Sequence, residues 1–333
     1  MTRGNPIIVL RAAEIVASLA LAILAAGWSV AVSAQNYPVK PVRFLVPNPP
    51  GGGTDLVARI VAQKVSEKWD GNLLVDNRAG AGGIIAVEVA ARSAPDGYTL
   101  LMAHFPLAIT VNIAKVSFDP VRDFAPVILL ATTQNALAVN PSLPAKSVKE
   151  FIALAKSKPG QLSYASGGNG TSMHVSAELF NLMAGVNMTH VPYKGAGPAL
   201  VDLIGGQVQA SFVSVPAAAP HIKSGKVRAL AVTGPRRSPL VPDLPTLSEA
   251  GLKGYGSEQW YGVLVPRETP RPLVQRLNQD FAWALGQADT RSRLRDSGYD
   301  IAVDTTEQGF GRFIQSEIAK WGEVVRKAGI KSE

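Results

Sequence analysis

The sequence contains no cysteine, which excludes disulfide scaffolds, thiol nucleophiles, cysteine-ligated zinc and iron–sulfur clusters. Histidine is scarce as well, with four residues in the chain. Neither an HExxH zinc pair nor a G-x-S-x-G nucleophile elbow is present, and Ser166 in YASGG lacks the leading glycine of that elbow. The sequence therefore predicts a protein that is not an enzyme and that needs neither metal nor cofactor.

Charged residues are few, at 17%, whereas 47% of the chain is hydrophobic, which is typical of a globular protein with a large core. The formal net charge is +8. Lysine and arginine do not form a dense run interleaved with aromatic residues, so we expect no nucleic-acid partner. A modest positive field instead suits small anionic ligands.

The first 34 residues differ in composition from the rest of the chain. Arg3 and Arg11 precede an uncharged run from Ile15 to Ala34, and the short side chains of Val32–Ala34 fit a signal-peptidase site. We predict a signal peptide over residues 1–34, cleavage before Gln35 and a periplasmic location. The alternative is an uncleaved anchor, because the uncharged run reaches the roughly 20 residues that span a bilayer.

A chain of 333 residues exceeds one compact core, so two lobes are expected. Short apolar runs alternate with amphipathic helical segments, which indicates an α/β architecture. The pattern predicts strands at Val42–Val46, Leu73–Val75, Tyr98–Met102, Val127–Ala131, Ala136–Val139, Leu162–Ala165, Val208–Val215, Val227–Val232 and Trp260–Val265. It predicts helices at Leu56–Val65, Ile84–Ala91, Val148–Lys156, Ser172–Met183, Pro198–Ile204, Arg271–Leu285, Thr290–Asp296 and Thr306–Ala328.

Two glycine-rich loops stand between a predicted strand and a predicted helix, one in each half of the chain. They are GGGTD at 51–55 and SGGNGT at 166–171. Backbone N–H groups at such a helix start attract anions, and glycine lets the main chain approach a ligand closely. Each loop taken alone is equally consistent with a tight turn. Together they predict two lobes that each offer one anion-binding loop to a shared cleft.

Ten segments that occur in order along the chain resemble one family, the tripartite tricarboxylate transporter receptors, also called Bug proteins. The segments are YPVKPVR with VPNPPGGGTD (37–55), NRAGAGG (77–83), APDGYTLLM (94–102), DFAPV (123–127), YASGGNGTSMH (164–174), HVPYKG (190–195), LIGGQV (203–208), KVRALAVT (226–233), LPTLSEAG (244–251) and WYG (260–262).

The resemblance implies a two-lobed periplasmic-binding-protein-like fold of type II, with a ligand cleft between lobes joined by crossing strands. On this sequence the lobes would be residues 35–134 plus 260–333 and residues 135–259. The implied function is capture of a small carboxylated molecule by hinge closure and its delivery to transporter membrane subunits. The receptor would be a monomer.

The resemblance implies that main-chain groups of Asn48–Asp55 and Ser166–Thr171 would hold the carboxylate. The predicted ligand-binding residues are Asn48, Pro49, Gly51, Gly52, Gly53, Thr54, Asp55, His104, Ser166, Gly167, Gly168, Asn169, Gly170 and Thr171.

Two positions depart from the family pattern. Asn48-Pro49-Pro50 stands where the family usually has Phe-Ala-Pro, which predicts a more polar pocket. His104 follows a strand where the family often has small residues. Our hypothesis is that His104 contacts the ligand, and the alternative is a structural histidine in the wall of the cleft.

Other residues carry open alternatives. Asp55 and Thr171 either contact the ligand or cap a helix. We expect Tyr261 to pack near the lobe junction, and Ser214 at a strand end could line the cleft.

Two functional alternatives remain at this stage. A sensory receptor would have the same fold and the same kind of ligand but a membrane signalling partner. An enzyme is disfavoured by the missing motifs, although carboxylates distant in sequence could pair in space.

Overall fold

The computed structural model describes residues 37–331. The predicted signal peptide and the cleavage site before Gln35 lie outside the described residues. Within residues 37–331, no helix combines the length and the apolar character that a membrane crossing needs.

Ten strands and ten α-helices make up the described chain. The strands are β1 (Val42–Val46), β2 (Leu73–Asn77), β3 (Thr99–His104), β4 (Phe124–Val139), β5 (Ser163–Ser166), β6 (Thr189–Pro192), β7 (Ala210–Ser214), β8 (Arg228–Val232), β9 (Glu258–Pro266) and β10 (Asp300–Ile301). The helices are α1 (Gly53–Lys68), α2 (Ile84–Ala91), α3 (Pro106–Ile113), α4 (Val148–Ser157), α5 (Ser172–Ala184), α6 (Ala196–Ile204), α7 (Val215–Lys223), α8 (Arg271–Gly286), α9 (Ala288–Asp296) and α10 (Glu307–Ala328).

Two groups of strands meet on β4. In the first lobe β1 pairs in parallel with β2 and β3, while β9 lies antiparallel between β3 and the first part of β4. In the second lobe β5 pairs in parallel with β6 and β7, and the last part of β4 pairs antiparallel with β7 and β8. The parallel strands place their carboxyl ends, and the loops that follow, at the edge where the lobes face each other.

Each sheet is covered on both faces, as expected for a sheet with parallel strands. Phe44 of β1 faces a core with Val57 of α1 and Phe281 of α8, while its neighbour Leu45 faces a second core with Phe310 of α10. In the second lobe, Leu137 and Ala138 of β4 likewise belong to different clusters. Neighbouring residues of a strand belong to different core clusters because successive side chains point to opposite faces of the sheet.

The strand β4 corrects one sequence prediction. Residues Val127–Ala131 and Ala136–Val139 were expected as separate strands, whereas Phe124–Val139 is continuous. The polar segment Thr132–Asn135 does not interrupt the strand, because Thr133, Gln134 and Asn135 are buried with hydrogen-bond partners at the crossing between lobes.

The structure also differs from the prediction in one strand boundary and in several elements. The predicted strand at Val208–Val215 is shorter, since Val215 begins α7. Helices α3 and α7 and strands β6 and β10 were not predicted. The two-lobed α/β fold is as expected, and the lobe limits at 134 and 260 stay a prediction.

Candidate functional site

A cavity of about 280 Å³ opens between the two glycine-rich loops. We call it the cleft, and the loops at Asn48–Asp55 and Ser166–Thr171 the first and second glycine loops. Five predicted ligand-binding residues line the cleft, namely Asn48, Thr54, His104, Gly167 and Thr171. The cleft therefore brings together residues that are far apart in sequence and come from both lobes.

The other predicted residues belong to the two loops but do not line the cavity. They are Pro49, Gly51, Gly52, Gly53, Asp55, Ser166, Gly168, Asn169 and Gly170. A direct contact between these residues and a ligand stays a prediction.

Several lining residues escaped the sequence analysis. They are Phe105, Pro106, Asn135, Ser172, Met173, Gly195, Ala196 and Gln259. Gly195 and Ala196 follow strand β6 and begin α6, so they repeat the strand–glycine–helix pattern of the other two loops. That pattern was the signal that could have found them. Ser214 lines the cleft, and Tyr261 lines it while remaining 4% exposed, packed against Tyr299.

The first glycine loop is fixed by a buried carboxylate. Asp55 accepts hydrogen bonds from the Gly51 N–H, from Arg59 Nε and from Asn77 Nδ2, each at 2.9 Å. Burial opposes ionisation of Asp55, but the bonds from Arg59, Gly51 and Asn77 hold its pKa below the usual value. Asp55 does not occupy the N-cap of α1, which is Gly52. Its carboxylate instead ties the loop to the start of the helix.

The second glycine loop rests on neutral groups. Ser166 Oγ hydrogen-bonds His190 Nε2 at 2.6 Å, and the Gly170 N–H donates to His174 Nδ1 at 3.1 Å. The His174 and His190 rings stack with their centroids 3.9 Å apart, and Tyr164 stacks on His190 at 4.9 Å. Because Ser166 is fully buried and bonded to the loop, we interpret this Ser–His pair as a support for the loop.

Thr171 is the N-cap of α5, as one of its two predicted roles required. Its hydroxyl accepts a hydrogen bond from the His174 N–H and donates one to the Gly168 carbonyl at 2.8 Å. The side chain also lines the cleft, so capping and ligand contact are compatible.

His104 ends strand β3 and lines the cleft, opposite Tyr261 in the register of β3 and β9. It is 6% exposed, and burial lowers the pKa of its imidazole to about 4. At neutral pH the ring is uncharged, so it can offer one N–H donor and one acceptor nitrogen to a ligand.

Asn48 presents an amide to the cleft. Its main-chain carbonyl accepts a hydrogen bond from Asn77 Nδ2 at 3.0 Å. Its side-chain Oδ1 is buried and has no hydrogen-bond partner among residues 37–331. A buried amide oxygen without a partner is costly, which makes this atom a candidate to meet a donor group or water in the cleft.

Five helices begin at the cleft. Its lining includes Thr54 in the first turn of α1, Phe105 as the N-cap of α3, Ser172 in α5, Ala196 in α6 and Ser214 as the N-cap of α7. The first N–H groups of a helix have no partner inside it, and the helix dipole adds partial positive charge there. None of the lining residues, all within residues 37–331, carries a formally charged side chain at neutral pH. Helix N-termini around a cleft without charged side chains are suited to an anion that is bound through main-chain groups.

The volume of a cavity does not by itself identify the binding site. A wider surface depression of about 450 Å³ lies away from both glycine loops, between exposed charged side chains that include Arg92, Arg122 and Glu268.

Comparison with known proteins decides the family. The family model described as "Tripartite tricarboxylate transporter family receptor" matches residues 57–330. The chain belongs to this family of solute-binding receptors. Among its relatives, protein BugT of Bordetella pertussis is 36% identical over 321 residues, which are 96% of this chain and 98% of BugT.

Two solved structures of receptors show the same fold. Rpa4515 of R. palustris with adipate has a TM-score of 0.77 at 38% identity, over 89% of this chain and 99% of that one. MatC (Rpa3494) from Rhodopseudomonas palustris with bound malate has a TM-score of 0.74 at 35% identity, over 87% of this chain and 100% of that one. The family and the two-lobed fold expected from the sequence are confirmed.

Proposed function

We propose that this receptor, after export and removal of residues 1–34, captures a small carboxylated molecule between its lobes. It then delivers that molecule to the membrane subunits of a tripartite tricarboxylate-type transporter. The observation that carries the proposal is the convergence of five helix N-termini on a cleft without formally charged side chains. The adipate and malate of the two related receptors, both dicarboxylates, support the ligand class.

The binding energy of a carboxylate can come from main-chain donors. Each helix terminus contributes about 0.3–1 kcal/mol when exposed and up to about 2 kcal/mol when partly buried. Hydrogen bonds to a charged group contribute roughly 1.5–3 kcal/mol each. A few such bonds from both glycine loops suffice for micromolar affinity, at about 8 kcal/mol.

Hinge closure follows from the distribution of the lining residues. Thr54 and His104 lie in the first lobe, Gly167 and Gly195 in the second, and Asn135 in the crossing strand β4. A ligand that touches both lobes favours the closed state through its differential affinity. The closed receptor is then the form that the membrane subunits recognise.

The test is thermal unfolding of receptor that has been unfolded and refolded to remove bound ligand. A panel of mono-, di- and tricarboxylates is compared with uncharged diamides of the same length. At about 100 times its dissociation constant a ligand stabilises by roughly 2.7 kcal/mol. For a protein of this size that is a rise in Tm on the order of 5–10 °C.

The variant His104→Ala is included in the same panel. If the imidazole contacts the ligand, affinity falls, whereas unchanged affinity would remove His104 from the site. A flat response to all carboxylates, or an equal response to the diamides, would contradict the proposed ligand class. Delivery is checked by uptake of the identified ligand, which should be lost in cells that lack the receptor but keep the membrane subunits.

A further inference from the structure

A second cavity, of about 290 Å³, lies behind the strands that form the floor of the cleft. In β4 and β9, Asn135 and Gln259 line the cleft, whereas their neighbours Gln134 and Glu258 line this second cavity. Gln134 and Glu258 are paired in the register of the two strands. Since successive side chains of a strand point to opposite faces, the two cavities lie on opposite sides of the same crossing strands. We call the second cavity the back pocket.

The rim of the back pocket is rich in arginine and comes from both lobes. Arg236 and Arg237 stand on the connection between β8 and β9, and Arg291 and Arg295 stand on α9. Arg237 is paired with Glu249 at 2.9 Å. Arg236, Arg291 and Arg295 have no ion-pair partner among residues 37–331. Three guanidinium groups without an ion pair among residues 37–331 therefore line one cavity.

Two acidic side chains also line the back pocket and reduce its positive charge. Burial raises the pKa of Glu258 to about 7, and burial also raises the pKa of Asp300, while Arg236 acts in the opposite direction on both. Glu258 is thus only partly ionised at neutral pH. The four arginines outweigh the two carboxyl groups, and the pocket keeps a net positive charge.

Tyr299 connects the back pocket to the cleft. It lines the back pocket, and its ring packs edge-on against that of Tyr261, which lines the cleft, with the ring centroids 5.5 Å apart. The Tyr299 hydroxyl lies next to Gly53, so close that a methyl group at that position would overlap it. A group bound in the back pocket therefore lies one side chain away from the first glycine loop.

We propose that the back pocket is a second anion-binding site, which takes a small polyvalent oxyanion of the phosphate type between Arg236 of one lobe and Arg291 and Arg295 of the other. The planar fork of arginine matches the oxygens of phosphate with two parallel hydrogen bonds. The site is distinct from the cleft and does not depend on which ligand the cleft takes. Because the anion bridges the lobes behind the crossing strands, its binding is coupled to the lobe angle and so, reciprocally, to ligand affinity.

The test is calorimetric titration of the ligand-free receptor with inorganic phosphate at constant low ionic strength. The variant Arg291→Gln/Arg295→Gln is compared with Arg293→Gln, because Arg293 is exposed on the same helix but bonds Gln63 outside the pocket. We expect phosphate affinity to fall about tenfold or more in the double variant and less than about twofold in the control.

A second variant separates binding from any effect on folding. Glu258→Gln removes the carboxylate from the floor of the pocket and should raise phosphate affinity several-fold, which a merely damaged protein would not show. Three outcomes overturn the proposal: no phosphate binding to the unmodified receptor, equal losses in Arg293→Gln and in the double variant, or binding that Glu258→Gln weakens.

Discussion

The two glycine loops face the same cleft but are supported by different chemistry. The first is held by an ionised carboxylate, since Asp55 accepts bonds from Gly51, Arg59 and Asn77. The second is held by uncharged imidazoles, since His190 bonds Ser166 and His174 bonds Gly170. The first support is an ionised group, whereas the second includes His174 Nδ1, which can accept the Gly170 N–H only while that ring is neutral.

The difference in charge gives the two loops different responses to acid. The pKa of Asp55 lies below its ordinary value, so its contribution to stability is lost only as the pH falls through that lowered pKa. Burial lowers the pKa of His190 to about 4, and burial together with the neighbouring His190 lowers that of His174 to about 3. In the unfolded chain the pKa of a histidine is about 6.5.

The largest expected effect is therefore a loss of stability in mild acid. Between pH 6.5 and 4 His174 and His190 bind more protons in the unfolded chain than in the folded one, so their contribution to the free energy of unfolding falls as the pH is lowered. Buried His104 acts in the same direction, and Glu258, whose pKa is raised, acts in the opposite one. The slope of the free energy of unfolding against pH is at most about 1.4 kcal/mol per pH unit for each histidine. For His174 this gives a total loss of about 2 kcal/mol between pH 7 and 5. His190 is less buried than His174, and solvent reduces its share. Denaturant unfolding of ligand-free protein at a series of pH values measures the slope.

The control for this prediction compares slopes rather than absolute stabilities. His174→Gln and His190→Gln should each flatten the pH dependence between pH 7 and 5, whatever they cost at pH 7. His221 lies on α7, away from the stacked rings, so His221→Gln should leave the slope unchanged. Equal slopes in all variants would mean that the second loop does not depend on neutral imidazoles.

A loss of stability of intermediate size is expected in the first loop, where the Tyr299 side chain comes so close to Gly53 that only glycine fits. A methyl group at Gly53 would overlap the Tyr299 hydroxyl, whereas Gly52 has free space around it. We expect Gly53→Ala to lower the free energy of unfolding by about 1–3 kcal/mol through overpacking. Gly52→Ala serves as the matched control and should cost less, because only the helix cap is weakened.

A double-mutant cycle sharpens the Gly53 prediction. Tyr299→Phe removes the overlapping hydroxyl, so the loss from Gly53→Ala should be smaller in that background than in the unmodified protein. Additive losses would show that the tyrosine does not limit the space at Gly53. Thermal or denaturant unfolding of the four proteins is sufficient to decide.

Local patterns in the sequence predicted much of the fold and part of the site. Strand–glycine–helix segments are local, which is why Thr54, Gly167 and Thr171 were found. Helix α3 was missed because Pro106–Ile113 is apolar on most sides and has little amphipathic periodicity. Asn135 was missed because hydropathy cannot separate a buried polar residue of a crossing strand from a loop residue.

The back pocket lay beyond sequence analysis for a different reason. Arg236 and Arg237 are far in sequence from Arg291 and Arg295, and only the folded structure brings the two pairs around one cavity. Neither group forms a motif, and their distance in sequence carries no signal. Contacts of this kind depend on how the lobes meet.

The smallest expected effect again separates the two loops, this time by their helix caps. Thr171 caps α5 with its hydroxyl, whereas the N-cap of α1 is Gly52, which has no side chain to offer. Thr171→Ala should cost about 1 kcal/mol, and Thr171→Ser, which keeps the hydroxyl, should cost only a few tenths. Unfolding is measured without ligand, because Thr171 also lines the cleft. Equal losses in both variants would assign the contribution to the methyl group rather than to the cap, and the second loop would then rest on the bonds of His174 and His190 rather than on its helix cap.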